Sequence, residues 1–168
     1  DSSPPDPTLA YVAGLIDGEG CIGIQSSKAG RQYYAEITIG MSTKAEPLLR
    51  EIEKQFRGTV VKGRKPQGEW AGSLKWRIGG DSALDLLQRI SPYLFLKKNQ
   101  AELALSLRHI YQSGRKHPNG KCKWTEQMRN RGSKIKNQMH KLNQTGPDAP
   151  VAGAGFYKPD ETLFGTLE

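Results

Sequence analysis

Cysteine, histidine and long apolar runs are scarce in this chain of 168 residues. It has two cysteines and three histidines, and neither type recurs at the spacing of a disulfide framework or a zinc site. No apolar stretch is long enough to span a membrane, and no signal-peptide pattern is present. These absences argue against a disulfide-stabilised, zinc-stabilised or membrane-spanning protein. We expect a reducing, intracellular compartment without a membrane partner, either a bacterial cytoplasm or an organelle (chloroplast or mitochondrion).

Acidic residues are also outnumbered, since 25 Lys and Arg against 17 Asp and Glu give a net charge of +8. The surplus is concentrated in residues 108–142, where ten basic residues face a single acid, Glu126. Such a charge predicts a polyanionic partner. The segment could grip a phosphate backbone, or it could be a solvated helix or an RNA-binding arm.

The stretch from Pro7 to Gly20 predicts a helix that ends abruptly at a Gly-Glu-Gly sequence. Apolar residues recur at helical spacing on one face. A neighbouring stripe of small residues would let a partner helix come close, and it ends in a carboxylate: Ala10, Ala13, Gly14 and Asp17. Asp17 and Glu19 both fall at the C-terminal end, where the helix dipole disfavours negative charge. We expect a metal ion, a Lys or Arg, or donors from a partner to compensate.

Periodicity along the rest of the chain predicts the order α-β-β-α-β-β-α, followed by further helices. The strands have an apolar face and a polar face, which is typical of an antiparallel sheet with one wet side. The fold class is therefore α+β. We predict a core over residues 1–112, a basic loop and helix over 113–142, and an irregular tail over 143–168.

The residues Val12-Ala-Gly-Leu-Ile-Asp-Gly-Glu-Gly20 resemble the signature of the LAGLIDADG homing endonucleases. The αββαββα order over residues 7–112 is that family's unit. A second resemblance lies in Ser91–Ala101, where Pro, an apolar run, lysines and Gln-Ala lead into a helix. The resemblance implies a four-stranded antiparallel saddle that binds double-stranded DNA, and a first helix that packs against a second copy.

The resemblance also implies roles for individual residues. Glu19 would hold the metal ion, Mg²⁺ or Mn²⁺, together with the Gly18 carbonyl, and Lys97 would approach the scissile phosphate. Thr43 matches a position that holds water near the metal, although Thr43 and Glu46 also have the spacing of a helix-capping box. Ala10, Ala13, Gly14 and Asp17 would form the dimer interface.

A saddle of this kind lies in the major groove, where side chains meet base edges. We predict DNA contacts from polar residues of its four strands and the first hairpin turn: Gln25, Ser27, Arg31, Gln32, Glu36, Thr38, Lys62, Arg64, Lys75 and Arg77.

The chain carries a single copy of the motif, so a symmetric site requires a homodimer on a long, nearly palindromic target. The resemblance to the family implies that this homodimer is a site-specific double-strand DNA endonuclease of the intron-homing type. The alternative is a binding protein on the same scaffold, either an RNA maturase that contacts intron RNA or a non-catalytic DNA-binding protein.

Overall fold

Helices and strands follow one another along the chain in the predicted order. The protein is described here by a computed structural model that covers residues 7–27, 30–68, 72–113, 115–116 and 122–144. The elements are α1 (Pro7–Glu19), β1 (Gly20–Ser26), β2 (Tyr33–Ser42), α2 (Glu46–Phe56), β3 (Thr59–Lys62), β4 (Ser73–Gly79), α3 (Asp81–Ile90), α4 (Lys98–Leu105), α5 (Leu107–Ser113), β5 (Arg115–Lys116), β6 (Cys122–Lys123) and α6 (Glu126–Leu142). The α+β fold class and the αββαββα unit are confirmed.

The first four strands form one antiparallel sheet in the order β1-β2-β4-β3. Ile37 lies opposite both Ile22 and Ile78, so these three side chains share the face that the helices cover. Alternate residues of the same strands therefore point to the opposite, outer face. Helices α1 and α3 pack against the inner face, and Trp76 at its centre is fully buried.

Two helix boundaries differ from the sequence-based prediction. A 3-10 turn over Thr43–Ala45 precedes α2, which begins at Glu46 with no side-chain cap, so the capping-box interpretation of Thr43 is wrong. The helical spacing of apolar residues over 99–113 predicts a single helix, whereas the structure has two helices, α4 and α5, separated at Ser106. The Ser106 hydroxyl donates to the carbonyl of Leu103 at 2.6 Å, and this local bond competes with the helical hydrogen-bond ladder.

Helix α6 belongs to the same hydrophobic core as the sheet. Met128, Ile135 and Met139 are buried, and the helix packs against α4, α5 and β1. Gly132 lies where a β-carbon would come within 2.4 Å of the Tyr33 ring. This mid-helix glycine therefore allows close packing, and the basic helix is an integral part of the core that the sequence assigned to residues 1–112.

The C-terminal end of α6 also covers the free edge of β1. The Asn143 side-chain amide donates to the carbonyl of Ile22 at 2.8 Å, and Lys136 Nζ donates to the Ser26 hydroxyl at 3.0 Å. A covered edge strand cannot pair with another chain. The predicted irregular tail lies, from residue 145 onward, outside the described residues. None of the described helices is long and apolar enough to cross a membrane.

Candidate active site and nucleic-acid interface

Asp17 binds the turn that precedes α4. Its two carboxylate oxygens accept hydrogen bonds from the backbone N–H groups of Phe95, at 2.7 Å, and Lys97, at 2.9 Å. The predicted dimer contact of Asp17 is thus replaced by contacts within its own chain. No residue-type pattern predicts this pairing, because the partners are backbone groups about eighty positions away.

The Lys97 ammonium group bonds the backbone carbonyl of Asp17 at the end of α1. A cation at this position offsets the partial negative charge of the helix C-terminus, so Lys97 is the compensating group that the sequence called for. The contact places the ammonium group two residues from Glu19, whose side chain is exposed. The Glu19 carboxylate and the Lys97 ammonium group are thus both found at the C-terminal end of α1.

The register of the sheet brings the third predicted catalytic residue to the same end. Gly20, at the start of β1, lies opposite Ile39, so Glu19 and the last residues of β2 are at one end of the sheet. Thr43 follows β2 directly and is exposed, and its backbone N–H donates to Gly72 at 3.0 Å. Its hydroxyl is thus available at the end of the sheet that carries Glu19.

Helix α1 keeps one apolar stripe outside the core. Tyr11 is 56% exposed, and Gly14 and Gly18 follow it at helical spacing on the exposed surface. Beside the end of the helix, Phe95 is 80% exposed and Leu96 is 42% exposed. Contiguous exposed apolar groups of this kind mark interaction sites.

The burial of α1 corrects one part of the predicted interface. Ala13 has no exposed surface, because it faces the core of its own chain. The prediction that its side chain meets a partner is therefore wrong. Gly14 is exposed and belongs to the stripe, and Ala10 is half-buried next to it.

The glycines of the motif differ in what the single chain requires of them. A β-carbon on Gly20 would lie 2.7 Å from the Ile16 α-carbon, whereas β-carbons on Gly14 and Gly18 would have no atom within 4 Å. Gly20 is thus required by the chain's own packing. Glycine inside a helix costs about 1 kcal/mol relative to alanine, and the packing of this chain offers no reason for that cost at Gly14.

The outer face of the sheet carries most of the predicted DNA-contacting residues. Register and alternation place five of them together on this face: Gln25, Glu36, Thr38, Lys75 and Arg77. Thr38 lies directly opposite Arg77. Sequence reasoning missed Tyr34 and Thr59, which join Glu36 and Arg77 around a concave volume of about 400 Å³.

One residue predicted to contact DNA, Lys62 on strand β3, does not lie on the outer face of the sheet. Lys62 lies opposite Leu74, which is buried against the helices, so the prediction that Lys62 shares the outer face is wrong. Two adjacent Val residues obscured the alternation of this short strand.

A β-bulge follows Lys62. Gly63 donates to the Ser73 carbonyl at 2.8 Å, while Ser73 donates to the Arg64 carbonyl at 3.0 Å. Two residues thus face one, which shifts the alternation by one position and returns Arg64 to the side of Ser73, the outer face.

The remaining predicted contacts lie at the turn between β1 and β2. The Ser27 hydroxyl accepts from the Gln32 backbone N–H at 3.1 Å, and the Ser27 N–H donates to the Gln32 carbonyl at 2.9 Å. The Ser27 side chain therefore helps to close the hairpin. Arg31 and Gln32 are exposed there, at the end of the sheet where Lys136 meets Ser26.

Cys21 reports on the electrostatics near Glu19. Desolvation raises the pKa of the Cys21 thiol above its ordinary value, and the ammonium groups of Lys97 and Lys75 oppose this rise without cancelling it. Both cations therefore act near the first residues of β1, next to the candidate catalytic carboxylate.

The donor atoms at this end of the sheet suit a hard cation. The Glu19 carboxylate and the Gly18 carbonyl offer oxygen ligands, which Mg²⁺ prefers. Among the residues described, no three His, Cys, Asp or Glu side chains are grouped so as to hold a metal ion.

Comparison with known sequences decides the family. The sequence model of the LAGLIDADG endonuclease family matches residues 12–102, which is more than half of the chain. The chain belongs to the LAGLIDADG endonuclease family. The match includes the whole nine-residue motif, the four strands of the sheet and the Lys97 turn.

One member of the family illustrates the similarity in both sequence and structure. DNA endonuclease I-CvuI of Chlorella vulgaris is 32% identical over 107 residues, which are 59% of this chain and 62% of that protein. The chain thus aligns with less than two thirds of this curated relative. The crystal structure of the homing endonuclease I-CvuI with the I-CreI target, in the presence of Mg and with the DNA not cleaved, superposes with a TM-score of 0.61. That match has 25% identity and covers 87% of each chain.

A more distant structure shows the same fold. The I-SmaMI LAGLIDADG homing endonuclease bound to cleaved DNA matches with a TM-score of 0.56 at 17% identity, over 86% of this chain and 46% of that one. The present chain therefore corresponds to about half of that structure.

Proposed function

We propose that this chain is a site-specific double-strand DNA endonuclease that acts as a homodimer with a divalent metal, Mg²⁺ or Mn²⁺. The observation that carries the proposal is the end of α1. There Glu19 is exposed two residues beyond the carbonyl that binds the Lys97 ammonium group, and the helix carries an apolar stripe that the single chain leaves uncovered. This arrangement is half of a symmetric site, since a second copy would add a second carboxylate and cover the stripe.

The residues of each copy have distinct tasks. Glu19 and the Gly18 carbonyl would hold the metal, which would supply charge neutralisation at the scissile phosphate and a more acidic bound water. Lys97 stabilises negative charge on the phosphate. The Thr43 hydroxyl orients water, and Asp17 acts as a positioning residue because it fixes the turn that carries Lys97.

The outer face of the sheet supports DNA as the substrate. Lys75, Arg77 and Arg64 face the same side as polar strand residues, which matches a major-groove surface. Helix α6 would extend this surface, because Lys136 lies at the end of β1 and further cations follow on exposed positions, including Lys134 and Lys141. Such contacts to phosphate make binding strongly salt-dependent.

The alternative remains a binding protein on the same scaffold, an RNA maturase or a non-catalytic DNA-binding protein. The presence of both Glu19 and Lys97 at the end of α1 favours the enzyme, because a carboxylate beside phosphate weakens binding unless a metal lies between them.

The deciding experiment is incubation of the protein with a plasmid library and Mg²⁺, followed by sequencing of the ends produced. We expect cuts at one nearly palindromic sequence. Glu19→Gln should retain DNA binding and lose cleavage, whereas Glu51→Gln, an exposed change on α2, should leave both intact. Tight RNA binding without any DNA cleavage would support the maturase instead.

The dimer has its own test in Gly14→Leu. The single chain leaves room at this position, so the fold should be retained while association of two copies weakens about tenfold or more. Lys54→Leu, an exposed position on α2, is the matched control. Unchanged association of Gly14→Leu in analytical ultracentrifugation would place the interface elsewhere.

A further inference from the structure

Gln25 and Glu36 are joined across the outer face of the sheet. The Gln25 amide Nε2 donates to Glu36 Oε1 at 3.1 Å. The two residues are diagonal neighbours, since Gln25 lies opposite Tyr34 and Glu36 lies opposite Gly23. The bond orients the Gln25 amide group, because a carboxylate oxygen can accept only from the NH₂ side. It also leaves the second carboxylate oxygen of Glu36 free of this contact.

Glu36 stands in an open notch. The residues opposite it on both neighbouring strands are glycines, Gly23 on β1 and Gly79 on β4. No side chain therefore projects directly opposite Glu36 from either strand, and its side-chain neighbours include the diagonal residues Gln25 and Arg77. Glu36 also lines the concave volume of about 400 Å³, together with Tyr34, Thr59 and Arg77. The edge of a DNA base can thus approach the Glu36 carboxylate from the outer face of the sheet.

A carboxylate on this surface needs a specific partner on the DNA. It is repelled by phosphate, and in the major groove it can accept only from the exocyclic amines of cytosine and adenine. Adenine presents its N7 acceptor next to that amine, which would face the carboxylate unfavourably, whereas cytosine presents a C–H group there. Glu36 therefore suits cytosine N4 better than any other group in the groove.

Arg77 lines the same concave volume and lies diagonally across from Glu36. None of the ion pairs within the described residues joins it to Glu36. An unpaired guanidinium group is the usual partner of guanine O6 and N7. In the major groove, a cytosine–guanine base pair presents the cytosine amine next to the guanine acceptors O6 and N7. The Glu36 carboxylate can accept from the amine, and the neighbouring Arg77 guanidinium group can donate to the two acceptors.

We propose that Glu36, oriented by Gln25, reads the exocyclic amine of a cytosine in each half of the target, with Arg77 contacting guanine beside it. The inference rests on the proposed DNA endonuclease function and adds the identity of one base pair per half-site.

The test is selection of a randomised double-stranded DNA library for binding in Ca²⁺ by the wild-type full chain and by Glu36→Gln. We expect the wild type to prefer cytosine about tenfold or more at one position and its symmetric mate. Glu36→Gln should lose that preference at this pair of positions and keep the others. Glu51→Gln is a matched control, because Glu51 also accepts from a Gln side chain, at 2.7 Å from Gln55, but on helix α2.

The outcomes separate the two proposals. A cytosine preference that is the same in the wild type and in Glu36→Gln would overturn the assignment of Glu36 while leaving the endonuclease intact. No enriched duplex with the wild type, together with no cleavage of the plasmid library, would contradict the proposed function and this inference along with it. Thermal unfolding of each variant confirms that the compared proteins are folded.

Discussion

Asp17→Asn and Glu19→Gln remove the same charge from the same end of α1, yet we expect opposite effects on stability. Asp17 accepts two backbone hydrogen bonds, at 2.7 and 2.9 Å. Asparagine keeps one acceptor and turns an NH₂ group toward the other N–H. A hydrogen bond to a charged group contributes about 1.5–3 kcal/mol, so the free energy of unfolding should fall by about 2 kcal/mol in Asp17→Asn.

Glu19 is exposed and stands at the negative end of the helix dipole. Its neutralisation should therefore raise the free energy of unfolding by about 0.3–1 kcal/mol in metal-free, low-salt buffer. For a chain of this size the two changes correspond to a Tm about 4–8 °C lower for Asp17→Asn and up to about 4 °C higher for Glu19→Gln.

The assay is thermal unfolding of the three proteins in EDTA at several equal protein concentrations. If Asp17 held a partner helix, its loss would act through association and would change the dependence of Tm on concentration. Equal stability of Asp17→Asn and Glu19→Gln would refute the claim that the Asp17 carboxylate holds the Lys97 turn.

Three other changes test separate parts of the structure. Gly20→Ala should lower the free energy of unfolding by about 1–3 kcal/mol, measured by urea denaturation, because its β-carbon would lie 2.7 Å from the Ile16 α-carbon. In a Cys122→Ser background, Cys21 should react with iodoacetamide more slowly than a free thiol at pH 8, since burial raises its pKa, and bound DNA should slow it further. The Glu53 pKa is lowered by the hydrogen bond from the Val60 N–H and by Arg50. Its stabilisation is therefore present above the unfolded-state pKa and lost as pH falls through the folded-state pKa, a loss that Glu53→Gln should abolish in acid-unfolding curves.

Periodicity and one short motif were enough to predict the fold and the end of α1 as the candidate site. The apolar alternation of β1, β2 and β4 is regular, so Gln25, Glu36 and Arg77 fell on the correct face. In β3, adjacent valines gave no clear alternation, and hydrogen bonds to Ser73 create a bulge that the sequence does not signal. Lys62 and Arg64 were therefore assigned to one face although the structure separates them.

Contacts between a side chain and backbone groups far away in the chain could not be predicted from the sequence. The Asp17 partners lie in a turn whose N–H groups carry no residue-type signal, so the carboxylate was assigned to a partner helix. The prediction that helix α6 lies outside the core rested mainly on its positive charge. Its buried side chains lie along one face, but the helix has too few apolar residues for the sequence to indicate that face. The close packing of Gly132 against Tyr33 was also not predicted, because glycine has no side chain that would mark a buried position.

The most direct test of the account is the number of chains bound to a cleaved duplex, counted by native mass spectrometry of the wild-type protein on the sequence selected from the plasmid library. We predict two chains per duplex, because each chain supplies one Glu19 and one half of the DNA-contacting surface. A single chain on a duplex cut in both strands would contradict it.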